Sequence, residues 1–73
     1  MPEDGLRKRS VTVQGHRTSV SLEPAFWQAL QDAAREEGLS VNALIARIDE
    51  RRRGNLSSAI RVWLLNRART LPS

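Results

Sequence analysis

The sequence predicts a small, mainly helical α+β fold, with a short strand region followed by three helices. Three observations carry that expectation. Near the N-terminus, polar and apolar residues alternate with the period of a strand. Three later stretches repeat apolar residues at helical spacing and are separated by Gly38 and Gly54. The chain has 73 residues and no cysteine, so it has neither a large core nor a disulfide to staple a small one. A tight helical unit or an association of chains has to make up the difference.

Taken in order, residues 1–9 read as a flexible arm that contains Pro2 and Gly5 and ends in the basic triplet Arg7-Lys8-Arg9. Residues 10–69 read as the folded domain. Ser10-Val11-Thr12-Val13 alternates, and so does Thr18-Ser19-Val20-Ser21-Leu22, with Gln14-Gly15 between them as a turn or bulge signal. The strand placed with most support is about 17–22. Thr18, Val20 and Leu22 share its mostly apolar face, and Arg17, Ser19 and Ser21 share the wholly polar one. Whether residues 10–13 pair with it stays open at this point, as does a register in which Val11 and Val13 are the buried positions.

The first helix is expected over 24–37, starting at Pro24, whose missing N–H costs nothing there. Its stripe is Phe26, Ala29, Leu30, Ala33 and Ala34, flanked by Trp27, and Gly38 stops it. The second is expected over 40–53, capped by Ser40, with Val41, Leu44, Ile45 and Ile48 on its apolar face. It closes on Arg51-Arg52-Arg53, which suit the negative end of the helix dipole and otherwise stay wet. The third is expected over 55–69, capped by Asn55, with Leu56, Ala59, Ile60, Trp63 and Leu64 widened by Val62 and Leu65. So broad a stripe calls for cover from the core or from another chain. Trp27 and Trp63 read as packing residues, and residues 70–73 as a frayed tail. No internal repeat or low-complexity tract stands out.

Lys and Arg number 12 against 8 Asp and Glu, a formal +4, and all the basic residues but Lys8 are arginine. The stretch 23–50 is acidic and both flanks are basic. A small basic chain has nucleic acid as its first candidate partner. With no cysteine and the single His16, a thiolate or multi-histidine metal site is excluded, and no metal or cofactor is expected. Enzyme activity has no support: there is no Gly-rich phosphate loop and no nucleophile–histidine–carboxylate set. No apolar run reaches membrane-spanning length and the start is unlike a signal peptide, so the expected location is the cytoplasm.

A lone strand leaves its backbone groups unpaired. Pairing the same strand from two chains across a two-fold axis solves that and merges two small cores. The expected dimer core is Val20, Leu22, Phe26, Leu30, Leu44, Ile45 and Ile48. Such a two-stranded ribbon fits the DNA major groove.

The stretch Arg17-Thr18-Ser19-Val20-Ser21-Leu22-Glu23, the helix from Phe26 to Glu37, and Gly38-Leu39-Ser40-Val41-Asn42 with Leu44-Ile45 resemble the ribbon-helix-helix repressors. The resemblance covers residues 17–53, about half of the chain. It implies a homodimer, or tandem dimers, bound to double-stranded DNA, with transcriptional repression as the activity; nothing in the sequence points to a small-molecule site, so no such ligand is expected. It implies that Arg17, Ser19 and Ser21 contact bases and that Ser40, Val41 and Asn42 clamp a phosphate. The basic triplet Arg7, Lys8 and Arg9 is expected to add phosphate contacts from the arm. The residues before position 17 and the third helix exceed the family's minimal pattern. Two other readings follow from the same residues: an antitoxin, and a dimer that docks a protein through the third helix with Trp63 exposed.

Overall fold

The computed structural model of the chain describes residues 5–52 and 54–70. Two strands, β1 (Arg7–Val13) and β2 (His16–Leu22), precede three helices, α1 (Pro24–Glu37), α2 (Val41–Glu50) and α3 (Leu56–Thr70). The architecture is the expected α+β one, with the ribbon first and the helices after it.

The strands form an antiparallel hairpin within one chain. Gln14-Gly15 is its two-residue turn, with φ of 52° at Gln14 and 82° at Gly15. Positive φ at both central residues gives the turn twist that joins right-twisted strands, and glycine takes the second position at no steric cost. Val13 opposite His16 closes the turn, and the ladder then runs through Val11↔Thr18 and Arg9↔Val20 to Arg7↔Leu22. Val11 and Val13 therefore join Val20 and Leu22 on the inner face instead of replacing them, and all four are buried.

The hairpin corrects the expected arm. Arg7, Lys8 and Arg9 are the opening residues of β1, and residues 1–4 lie outside the described residues. The alternation there is hard to see because charged side chains occupy both faces. The guanidinium of Arg9 sits 4.5 Å from the centre of the Trp27 ring, so its inner position is filled by a cation on an aromatic face.

The helices cover the inner face, α2 against β1 and α3 against β2. Pro24 opens α1, and the chain leaves it through a left-handed Gly38, with Gly38 and Leu39 N–H donating to the Arg35 and Ala34 carbonyls. Ser40 caps α2, its Oγ accepting from Ala43 N–H at 3.0 Å. That helix ends at Glu50, a turn before the expected 53. Arg52 ties back to Asp49 and donates to the Gly54 carbonyl, bending the chain toward α3; Arg53 lies outside the described residues. Asn55 caps α3, its Oδ1 accepting from Ser58 N–H at 3.1 Å. Thr70 closes α3, and the rest of the expected tail lies outside the described residues.

One core holds these elements together: Val11, Val13, Val20 and Leu22 from the hairpin, Leu30, Ala33 and Ala34 from α1, Leu44, Ile45 and Ile48 from α2, and Ile60 and Leu64 from α3. The residues expected to need a partner chain are buried without one, except Phe26, which is half-buried. Within the chain, β1 is the strand paired with β2, and α3 adds an apolar layer to the core.

Candidate nucleic-acid interface

In an antiparallel pair, directly opposed residues share a face. The register Lys8↔Ser21, Ser10↔Ser19 and Thr12↔Arg17 therefore places Lys8, Ser10, Thr12, Arg17, Ser19 and Ser21 together on the outer face. All are exposed but Ser21, which is half-buried. The structure thus brings together the three residues expected to contact bases and adds three from β1. Ser10 and Thr12 were not singled out from the sequence. The signal was present in the alternation of 10–13 and the x-Gly turn, but only the register assigns their side.

The basic triplet divides. Lys8 stands on the outer face. Arg9 lies on the inner face over Trp27, its Nε buried with no hydrogen-bond partner among the described groups, so its expected phosphate contact is replaced by packing. Arg7 is also an inner-face position, opposite Leu22.

The two edges of the hairpin differ. Backbone groups of Arg17, Ser19 and Ser21 point away from β1, and α3 closes the last of them. Ser21 N–H donates to Ser57 Oγ at 2.9 Å, and Arg61 donates to the Ser21 carbonyl at 3.1 Å. Arg61 also donates to Glu23 Oε1 at 3.1 Å, holding the end of the ribbon onto α3. The rest of that edge faces a polar cleft of about 490 Å³ walled by Arg52, Asn55 and Ser57.

The Glu23 carboxyl is held below the usual carboxylate range, first by a hydrogen bond from its own backbone N–H and then by Arg61, with desolvation opposing. A carboxylate whose folded pKa is depressed contributes stability above the unfolded value, about 4.3 for glutamate, and loses that contribution as pH falls through the folded value. Glu23→Gln is therefore expected to show a smaller loss of stability than wild type between about pH 4.3 and more acid conditions. Urea melts at neutral and acid pH measure it; equal acid-side losses would show that the pair contributes nothing.

Charge pairing further narrows the site. Arg67 is committed to Glu36 and Glu37, both at 2.6 Å, and these carboxylates raise its pKa further. Arg35, Arg47 and Arg52 pair with Asp32, Glu37 and Asp49. Among the described residues Lys8, Arg9, Arg17, Arg51 and Arg69 have no carboxylate partner; Arg9 lies over Trp27, and Lys8 and Arg17 stand on the outer face of the ribbon. At the start of α2, Ser40 acts as a helix cap, with Val41 half-buried and Asn42 exposed. Trp63 is half-buried with Arg67 5.7 Å from its ring centre, whereas Val62 and Leu65 are exposed. No helix among the described residues is long and apolar enough to cross a membrane.

A family model described as the ribbon-helix-helix domain matches residues 6–68. The chain belongs to the ribbon-helix-helix family. Members of this family are generally DNA-binding transcription regulators and typically bind DNA as dimers. The ribbon-helix-helix chain described here is also similar to a solved structure, that of an uncharacterized protein from Bordetella pertussis Tohama I. The two are 30% identical with a TM-score of 0.75, over 90% of this chain and 58% of that one. This chain thus spans little more than half the length of that protein. No curated protein matches it.

Proposed function

We propose that the chain binds double-stranded DNA sequence-specifically through the outer face of the β1–β2 hairpin, and that it represses transcription by occupying its site. The observation that carries this reading is the hairpin's outer face: six polar side chains with no apolar residue among them, two cationic, on a ribbon whose other face is sealed onto the helices. A two-stranded ribbon fits the major groove, where arginine pairs with guanine O6 and N7 and hydroxyls meet either donors or acceptors. The free N–H groups at the start of α2, around Ser40, Val41 and Asn42, serve a flanking phosphate.

Selection from random duplexes at two salt concentrations tests the function. The expected result is one enriched site whose affinity falls steeply with salt. Equal binding to every duplex, or none, would overturn it. That outcome would favour a second reading, docking of a protein on the apolar groove formed by Ala25, Phe26, Ala29, Val62, Leu65 and Ala68.

A further inference from the structure

A groove of about 650 Å³ runs between α2 and α3. It lies on a different side of α3 from the ribbon. Ser57 and Arg61, which close the end of β2, are four residues apart and share one side of that helix. Ser58, Val62 and Asn66 share the next side, about 100° further round, and line the groove. The floor is apolar, formed by Ile48, Ala59, Val62 and Trp63, and Val62 is 56% exposed. One wall is cationic. Arg47 stands on the last turn of α2, and Arg51 follows one turn on, at the C-cap. Like charges at that spacing repel. Their neutralisation is incomplete. Glu37 lies 3.8 Å from Arg47 but 2.6 Å from Arg67, and Arg51 has no carboxylate partner among the described residues. Arg52, the third arginine of the wall, is tied to Asp49. An apolar strip thus runs beside an excess of positive charge.

We propose that this groove docks an acidic amphipathic helix of a partner protein, with apolar side chains on Val62 and Trp63 and carboxylates on Arg47 and Arg51. Three features choose that occupant. The groove is lined from helices and their ends and offers no strand edge. An extended segment would find no partners there for its main chain, whereas a helix satisfies its own. Ser58 to Asn66 spans about 12 Å, room for about two turns of such a helix. A second copy of the chain seated there across a two-fold axis would set Arg47 and Arg51 against their own counterparts. Duplex DNA would satisfy the arginines, but its phosphate backbone would leave the apolar floor in water. The groove shares no residue with the outer face of the ribbon, so docking here does not depend on DNA recognition there.

The test uses the full chain and three labelled synthetic helical peptides. They share one leucine stripe and carry glutamate, glutamine or lysine on the opposite face. Fluorescence polarisation is expected to rank glutamate above glutamine above lysine, with the differences narrowing at higher salt. Arg51→Glu is expected to lower affinity for the glutamate peptide about ten-fold and to raise affinity for the lysine peptide. Arg51→Gln, which places no new negative charge at the end of α2, is expected to lower the first several-fold and keeps the comparison if the reversal lowers the melting temperature. Val62→Ser is expected to weaken all three peptides alike, because it removes apolar contact and no charge. Equal affinity for the three peptides, no binding of the glutamate peptide, or binding that the Arg51 and Val62 variants leave unchanged would overturn the proposal. Two further outcomes would also overturn it by assigning the groove elsewhere. Displacement of the glutamate peptide by random-sequence duplex would give the arginines to nucleic acid, and a fall in the sedimenting mass of the free chain on Val62→Ser would give the groove to a second copy.

Discussion

Leu44→Ala is expected to cost about 2–5 kcal/mol of folding stability. Leu44 is fully buried in a core that draws on both strands and all three helices. A chain of this size holds on the order of 4–11 kcal/mol in total, by the usual stability per residue. One methyl-lined void therefore removes a large part of what keeps the protein folded. The same melts decide where the core resides. A core closed within one chain has a midpoint independent of protein concentration, whereas a core assembled between chains shifts upward with it. Urea melts of both proteins at concentrations differing a hundred-fold are expected to coincide for each protein while separating widely between them. A concentration-dependent wild-type midpoint would place part of the core in an interface.

That experiment bears on what the sequence could and could not disclose. The apolar stripes of the three helices were legible because Leu30, Leu44, Ile45, Ile48, Ile60 and Leu64 recur at helical spacing, and each is buried. The alternating faces of β2 were legible for the same reason at period two. The partner of β2 was not, because the first half of β1 carries Arg7 and Arg9 at inward positions where apolar residues signal a buried face. Arg9 fills its place by lying over Trp27, a contact made by a side chain distant in sequence. The residues expected in a dimer core lie in or against the core of the single chain, where β1 and α3 pack beside them.

The arginine-rich C-terminal region shows the same limit on the electrostatic side. Composition counted Arg61 and Arg67 with the cations available to DNA. The fold uses Arg61 to tie Glu23 and the Ser21 carbonyl to α3, and Arg67 to tie α3 to the acidic end of α1. Each pair joins residues thirty or more positions apart, so no local pattern announces it. Among the described residues this leaves Lys8 and Arg17 on the outer face of the ribbon, Arg9 over Trp27, and Arg51 and Arg69 without a carboxylate partner.

Arg17→Ala is accordingly expected to have the largest effect of any single surface change on DNA recognition. Arg17 is exposed, has no carboxylate partner among the described residues, and stands beside Ser19 on the outer face, opposite Thr12. A forked arginine–guanine contact is worth about 1–3 kcal/mol of discrimination against the wrong base. Losing it should relax preference at one base pair while leaving the rest of the site legible. Arg51→Ala and Arg69→Ala give the contrast. Any contact they make with DNA is to phosphate, so each should leave base preference unchanged, and a lost contact should lower the salt dependence by about one. Folding is not at stake in the first change, since the Arg17 side chain lies outside the core and α3 braces the ribbon at Ser21 instead. Binding to the selected duplex and to single-base variants, each at several salt concentrations, separates the two kinds of loss. If Arg17→Ala weakened every duplex by the same factor, Arg17 would be a phosphate contact and the burden of specificity would pass to the hydroxyls of Ser10, Thr12, Ser19 and Ser21.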